Sequence, residues 1–339
     1  MARRVRTVLV GLGNVNQGLL KILNDKEKEI EEKYDLQFKI VGAIDSSGMA
    51  VNEKGFGYEE LVNLKFNKGK VNEIAGFIPK SIEEITECID ADLLIEASPV
   101  NLTPKNPGII LIKKALAKSW AVVFANKAPL VLAFDELSKR ANENKAKFLY
   151  SATVCGGLPV INVLKRDLKL ATLKSLTGIF NATTNFVLQE LEKGKTMESA
   201  ILEAQRIGAA ETDPTLDLSG QDAANKLYII MKSVANYKGT IKDIKMVGIE
   251  NITPEEIKKA TAVNAKIKLV ASANYKSKWR LSVKPTRVAN DSFLGSCNGW
   301  EMGIEVKTDL YESISMKNFE ADPKGTSAAV LRDMIDVFF

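Results

Sequence analysis

Residues 5–18 read VRTVLVGLGNVNQG: an apolar, β-branched run that breaks into glycine and then opens a new pattern. The run 5–12 predicts a strand. Val15, Leu19, Leu20, Ile22, Leu23 and Ile30 then share one side of a helix over 15–33 whose other side is rich in Lys and Glu. FKIVGAID, 38–45, predicts a second strand. A G-x-G turn acquires meaning in this order of strand, turn, helix, strand and acid, which points to a dinucleotide-binding unit. Gly11 permits the tight turn and Gly13 lets the backbone approach a pyrophosphate. The helix start at Asn14 and Val15 offers free N–H groups to its charge. Asp45 ends the second strand, where a carboxylate can accept from the adenosine ribose and repel a 2′-phosphate. Ser46 and Ser47 follow instead of an Arg, which favours NAD over NADP. The third fingerprint glycine is replaced by Asn16, with Gly18 two residues on, so the helix is expected to sit differently on its sheet. A turn that binds nothing, with Asp45 as a strand-end residue, is the plainer alternative.

Working outward, 46–78 reads as irregular, and DLLIEAS (92–98), WAVVFAN (120–126) and KFLYSA (147–152) supply three more strands. Helical patterns near 106–118 and 133–143 lie between them. The layout is α/β, a Rossmann-type doubly wound parallel sheet. From about 153 a long helix-rich middle precedes the alternating runs KIKLVASA (265–272) and KWRLSVKPTRV (278–288), an α+β texture. The domains are therefore drawn as 1–150 and 151–319. GTSAAVLRDMIDVFF (325–339) predicts a terminal helix that docks elsewhere.

The 339 residues are 45% hydrophobic and 26% charged, enough for about two domains. A net charge of +5 without a basic stripe argues against a nucleic-acid partner. Histidine is absent, which removes the commonest general base and leaves Lys, Asp, Glu, Tyr or Cys for proton transfer. Cys88, Cys155 and Cys297 have neither disulfide-framework nor metal-knuckle spacing. The N-terminus lacks the apolar stretch of a signal peptide, and no apolar run approaches the ~20 residues of a membrane span. The expectation is a cytoplasmic protein with no membrane partner.

The densest polar segment is AAETDPTLDLSGQDAANKLYIIMKSVA, 209–235. Glu211, Asp213 and Asp217 around Pro214 make a carboxylate-lined loop. Ser219 can cap a helix over 221–235, on which Asp222 and Lys226, four apart, share one face. Such a pair commonly decorates a solvated face for only ~0.3–0.5 kcal/mol. Preceded by acidic residues, it could instead bind an ammonium and protonate a carbonyl oxygen. Lys127, in FANKAPL (124–130), follows a strand at the ligand-binding edge of the sheet, although a surface lysine would look the same. Ser98 and Pro99, in EASPV (96–100), could lie along a nicotinamide ribose or form a plain loop. SATVCGGLP (151–159) and GIFNATTNF (178–186) suggest backbone-rich turns, the second with Thr183 and Thr184 capping a helix.

The pattern P-x-x-D-L-x-G-x-D-x-x-x-K, formed by Pro214, Asp217, Leu218, Gly220, Asp222 and Lys226, resembles the signature of the homoserine dehydrogenases. GLGNVNQG, FANKAPL, SATVCGGLP and GIFNATTNF fall in that family's order, so the resemblance spans essentially the whole chain. It implies NAD(P)-linked interconversion of L-homoserine and L-aspartate 4-semialdehyde, on the route to threonine and methionine. By resemblance Lys226 is the catalytic lysine, Asp222 its acid, and Lys127 a second active-site lysine. The same resemblance implies that Glu211, Asp217 and Thr183 bind the small-molecule substrate. A homodimer built on the sheet of the second domain is implied, as is a terminal helix, 320–339, that completes the nucleotide domain.

The chain also departs from the family. Ala182 stands where Gly is frequent, and the turn before the terminal helix is degenerate, EADPKGT. Some members bind a sodium ion through backbone carbonyls, here those of Val154 and Gly156, together with a glutamate that aligns with Ser151. The length leaves no room for an aspartokinase, and no regulatory domain is expected. Competing readings are another NAD(P)-dependent amino-acid or imine dehydrogenase, such as an aspartate dehydrogenase, and an NAD-sensing protein without turnover.

Overall fold

The computed structural model describes residues 2–103, 106–207 and 213–339. Two units divide the chain, Met1–Gly157 with Pro323–Phe339, and Leu158–Asp322. In the first, β1 (Arg3–Val10), α1 (Asn14–Tyr34) and β2 (Leu36–Asp45) form the expected strand–helix–strand. Val5, Val8 and Leu9 are fully buried because β1 is central in its sheet, with parallel neighbours on both sides.

The stretch expected to be irregular is ordered. It contains β3 (Gly48–Phe56), α2 (Tyr58–Phe66) and β4 (Phe77–Ile78). β3 pairs antiparallel with β2, Asp45 facing Gly48 across the turn. Only Met49, Ala50 and Phe56 of this strand are buried; Asn52, Glu53 and Lys54 form its polar part, which is why the run reads as a loop. The parallel series resumes with β5 (Leu93–Glu96), α3 (Pro107–Ala117), β6 (Ala121–Phe124), α4 (Ala128–Glu143) and β7 (Phe148–Leu149). β7 is shorter than expected, since Ser151–Thr153 already turn as a 3-10 helix. The sheet order is β4-β3-β2-β1-β5-β6-β7, doubly wound with two antiparallel strands added at one edge. The strand order reverses between β1 and β5, and ligands bind at the C-terminal strand ends of such a switch point.

The second unit contains β8 (Leu173–Ile179), α5 (Ala182–Glu192), α6 (Met197–Arg206), α7 (Gln221–Ala235), β9 (Lys245–Met246) and α8 (Pro254–Thr261). β10 (Ala265–Tyr275), β11 (Trp279–Ala289), β12 (Glu301–Thr308) and β13 (Ser313–Phe319) complete its mixed sheet, ordered β13-β12-β8-β10-β11-β9. The two expected strands are the β10–β11 hairpin, whereas β8, β12 and β13 were not legible. One register row across this sheet, Ser282, Ser272, Thr177, Glu305 and Ser315, is polar and none of its members is buried. The alternate positions Leu176, Ala271, Val283, Ile304 and Val306 are fully buried.

α9 (Lys324–Asp336) returns to the first unit, where Ala329, Val330 and Met334 join the core of Leu19, Leu20 and Leu23. Ser327 Oγ donates to the Val15 carbonyl at 2.8 Å, and Lys147 Nζ donates to that of Val337 at 2.8 Å. No helix among the described residues is long and apolar enough to cross a membrane.

Candidate active site

The first turn is built by close approach. Gly11 has φ +78°, and a Cβ there would meet the Ala97 carbonyl oxygen at 2.6 Å, so neither the backbone angle nor the space admits a side chain. Gly13 is exposed, and a Cβ built on it would have nothing within 4 Å. It precedes the first turn of α1 and contributes no side-chain cap. Open space over a bare helix N-terminus suits a pyrophosphate, with Asn14 exposed and Val15 half-buried beside it. Asn16 is fully buried and its amide donates to the Gly11 carbonyl at 2.6 Å, tying the turn from beneath. The close packing of a third glycine passes to Gly18, where a Cβ would come within 2.4 Å of Ser327 Oγ. The helix approached most closely is therefore α9.

Asp45 does not present a bare charge. Its Oδ2 accepts from Lys65 Nζ at 2.5 Å and the Val71 N–H at 3.2 Å, and its Oδ1 from Ser47 N–H at 2.8 Å and Ser47 Oγ at 2.6 Å. Burial alone would raise its pKa, but the Lys65 ammonium and the Ser47 and Val71 donors hold it below the usual carboxylate range. No Arg directly follows this acid in the sequence, yet a cation stands beside it. Lys65 arrives from α2, twenty residues downstream, so the argument against a 2′-phosphate loses its premise.

Ser98, at the end of β5, gives both its N–H and its hydroxyl to Glu96, while Pro99 is exposed. Lys127 immediately precedes α4 and is half-buried. Its turn is fixed by Asn126, whose Oδ1 accepts from the Ala128 N–H at 2.9 Å.

In the second unit, Lys226 and Asp222 form an ion pair at 2.8 Å with side chains only 14% and 7% exposed, unlike a solvated helix-face pair. Lys226 Nζ also donates to the Phe180 carbonyl at 2.7 Å. Asn181 links the acids: its amide donates to Asp217 Oδ1 at 2.7 Å and Asp222 Oδ2 at 2.8 Å. The sequence reading missed Asn181. It is also the cap of α5, accepting from the Thr184 N–H at 2.8 Å, a role expected of Thr183 and Thr184. An Asn directly before Ala-Thr-Thr was the available signal. Thr183 is buried in the first turn of α5. The residue that opens α7 is Gly220, not Ser219, although Ser219 Oγ accepts from the Gln221 N–H at 3.4 Å. Glu211 lies outside the described residues.

The loop after β7 holds Val154, buried, and Gly156, at φ +55°. Ser151 donates its N–H and hydroxyl to Asp333 at 2.8 and 2.5 Å, and its oxygen accepts from Arg332 Nη2 at 2.9 Å. Position 151 carries no carboxylate of its own, and the Asp333 carboxylate beside it is already engaged by Ser151 with the Arg332 guanidinium close by, which makes a poor cation site.

The family model for homoserine dehydrogenase matches residues 159–335. Homoserine dehydrogenase of Methanocaldococcus jannaschii is 35% identical over 98% of each chain. The NAD(+)-dependent homoserine dehydrogenase of Pseudomonas canavaninivorans is 30% identical, over 98% of this chain and 96% of its own length. Among solved structures, a hyperthermophilic archaeal homoserine dehydrogenase in complex with NADPH superposes with a TM-score of 0.84 at 26% identity, covering 99% of this chain and 98% of that one. An ion-paired, mostly buried Lys226, a glycine turn shaped for a dinucleotide and near full-length similarity lead to one conclusion: the chain belongs to the homoserine dehydrogenase family.

Proposed function

We propose that this protein interconverts L-homoserine and L-aspartate 4-semialdehyde with NAD or NADP, in the cytoplasm, on the route to threonine and methionine. The carrying observation is the Lys226–Asp222 pair, held in register by Asn181 and the Phe180 carbonyl. The nicotinamide coenzyme, when bound, supplies or accepts the hydride. Lys226 gives its proton to the aldehyde oxygen in reduction and receives the hydroxyl proton in oxidation. It thereby stabilises the oxygen on which negative charge develops. Asp222 aims the Lys226 side chain at that oxygen. Asp217, with Glu211, accepts from the substrate's ammonium group, and Thr183 contacts the substrate. Lys127 adds a second positive charge.

Gly11, Gly13, Asn14 and Val15 hold the pyrophosphate, Asp45 reads the adenosine ribose, and Ser98 and Pro99 flank the nicotinamide ribose. Lys65 beside Asp45 supports use of either coenzyme. Sodium has no part in this reading, because Arg332 and Asp333 already engage Ser151. The two units serve as a dinucleotide-binding domain completed by α9 and a catalytic domain. The latter makes a homodimer through the polar face carrying Ser272 and Thr177; light scattering of Thr177→Arg, expected to be monomeric, checks the surface. The decisive assay follows the homoserine-dependent absorbance of the reduced nicotinamide, with NAD and NADP in parallel. Tight nucleotide binding without turnover would instead identify a sensor.

A further inference from the structure

Glu96, the last residue of β5, is wholly shielded from solvent and no cation is paired with it among the described residues. Its Oε1 gathers three donors, the Ser98 N–H at 3.1 Å, the Ser98 hydroxyl, and Asn126 Nδ2 at 3.3 Å. Among the described residues Oε2 has no hydrogen-bond partner, and it lies 3.5 Å from where a Cβ on Gly108 would stand, over the first turn of α3. A buried polar atom left unsatisfied calls for an explanation other than stability, since burying it carries an uncompensated desolvation cost. Packing alone would be served by an apolar side chain at this position.

The explanation lies in what Oε1 joins. Ser98 belongs to the turn after β5, against which Gly11 is pressed, and Asn126 belongs to the turn after β6. Asn126 also donates to Ser98 Oγ at 3.2 Å and caps Ala128, so it fixes the backbone on either side of Lys127. The Glu96 backbone carbonyl repeats the link, accepting from Ala125 and Asn126 N–H groups at 2.8 and 3.0 Å. Two turns at the ligand-binding edge, those of Ser98 and Lys127, thus converge on one buried carboxyl group, and the Gly11 turn packs against the first of them.

We propose that Glu96 is a positioning residue for the reaction: through Ser98 and Asn126 it sets the coenzyme-facing turn and the Lys127 turn relative to one another. Burial pushes its carboxyl pKa up, against the opposing pull of Ser98 and Asn126, and Gln is the substitution that keeps both its shape and the Oε1 acceptor. The inference rests on the dehydrogenase reading above, but nucleotide affinity can be measured without turnover, which separates the two.

The test compares Glu96→Ala with Glu96→Gln in the full chain, by NADH and NADPH fluorescence titration and by steady-state kinetics. Glu96→Ala should weaken nucleotide binding about tenfold and lower kcat by a similar factor, with the homoserine KM within about threefold of the parent. Glu96→Gln, which keeps the Oε1 acceptor, should restore both to within about threefold. A purely structural carboxyl would lower Tm in both variants while leaving affinity and kcat per folded molecule unchanged, and that result overturns the proposal. Should Glu96→Ala fail to fold, Asn126→Ala and Ser98→Ala replace it. Each should weaken nucleotide binding, and their combination should cost less than the sum, whereas full additivity or no change overturns the network. If the parent binds nucleotide but never oxidises homoserine, the dehydrogenase reading fails while the affinity arms still judge Glu96.

Discussion

Lys65 offers the sharpest test of how the coenzyme is chosen. It reaches Asp45 at 2.5 Å with side chains 23% and 8% exposed, so the pair is shielded enough for its loss to register. In Lys65→Ala the carboxylate keeps three donors, Val71 N–H, Ser47 N–H and Ser47 Oγ, but no compensating charge. Stability should fall by about 1–2 kcal/mol at pH 7, between the value of an exposed pair and that of a charged hydrogen bond in the interior. The sign of the pH dependence follows from Asp45, whose pKa is held below its unfolded value by Lys65 and the other donors despite burial. Its contribution is therefore present above about pH 4 and disappears as the pH falls through the folded pKa, so the difference between Lys65→Ala and the parent should shrink in acid. For binding, if Lys65 meets the 2′-phosphate of NADP, the variant removes a charge-assisted partner worth about 1.5–3 kcal/mol and leaves Asp45 uncompensated beside that phosphate. NADP affinity should drop by roughly ten- to a hundredfold, and NAD affinity by no more than about threefold. Titration of both nucleotides against parent and variant gives the answer. Equal losses for the two would refute a part for Lys65 in telling the two coenzymes apart.

Lys226→Met should reduce kcat by about a hundredfold or more, since a positioned acid contributes about 10²–10⁴, while nucleotide affinity is kept; unchanged turnover would remove the proton-transfer assignment. Initial rates in sodium, potassium and choline chloride at equal ionic strength should agree within about twofold, reflecting Arg332 beside Ser151, and Arg332→Ala should make the rate sensitive to the cation. Lys268 is fully buried on β10, its ammonium donating to Asn185 Oδ1 at 2.7 Å and the Cys297 carbonyl at 2.8 Å. Burial pulls its pKa down to about 8, below the unfolded lysine, so the folded state holds this proton less tightly. Urea unfolding should show stability from this group rising between about pH 8 and 10, and Lys268→Met should flatten that rise.

The order strand, glycine turn, helix, strand was readable because each step is local: apolar periodicity, a turn that excludes side chains, and an acid at a strand end. The pairing of Asp222 with Lys226 was readable for the same reason, four residues on one helix being one turn apart. β3 was not, because an edge strand needs only one buried face and its polar half imitates a loop. Nor could local pattern find Asn181, whose two carboxylate partners lie 36 and 41 residues away.

The sequence alone thus determined the class of fold, the glycine turn after the first strand and the placement of Lys226 one helical turn from Asp222, all of which depend on neighbours within a turn or two of chain. Tertiary structure decided the rest. It placed Lys65 on Asp45, closed Gly18 against Ser327, and gathered Ser98 and Asn126 onto Glu96. Those contacts arise from how strands and helices stack, and hydrogen bonds and ion pairs act over a few ångströms of space regardless of how much chain separates the partners.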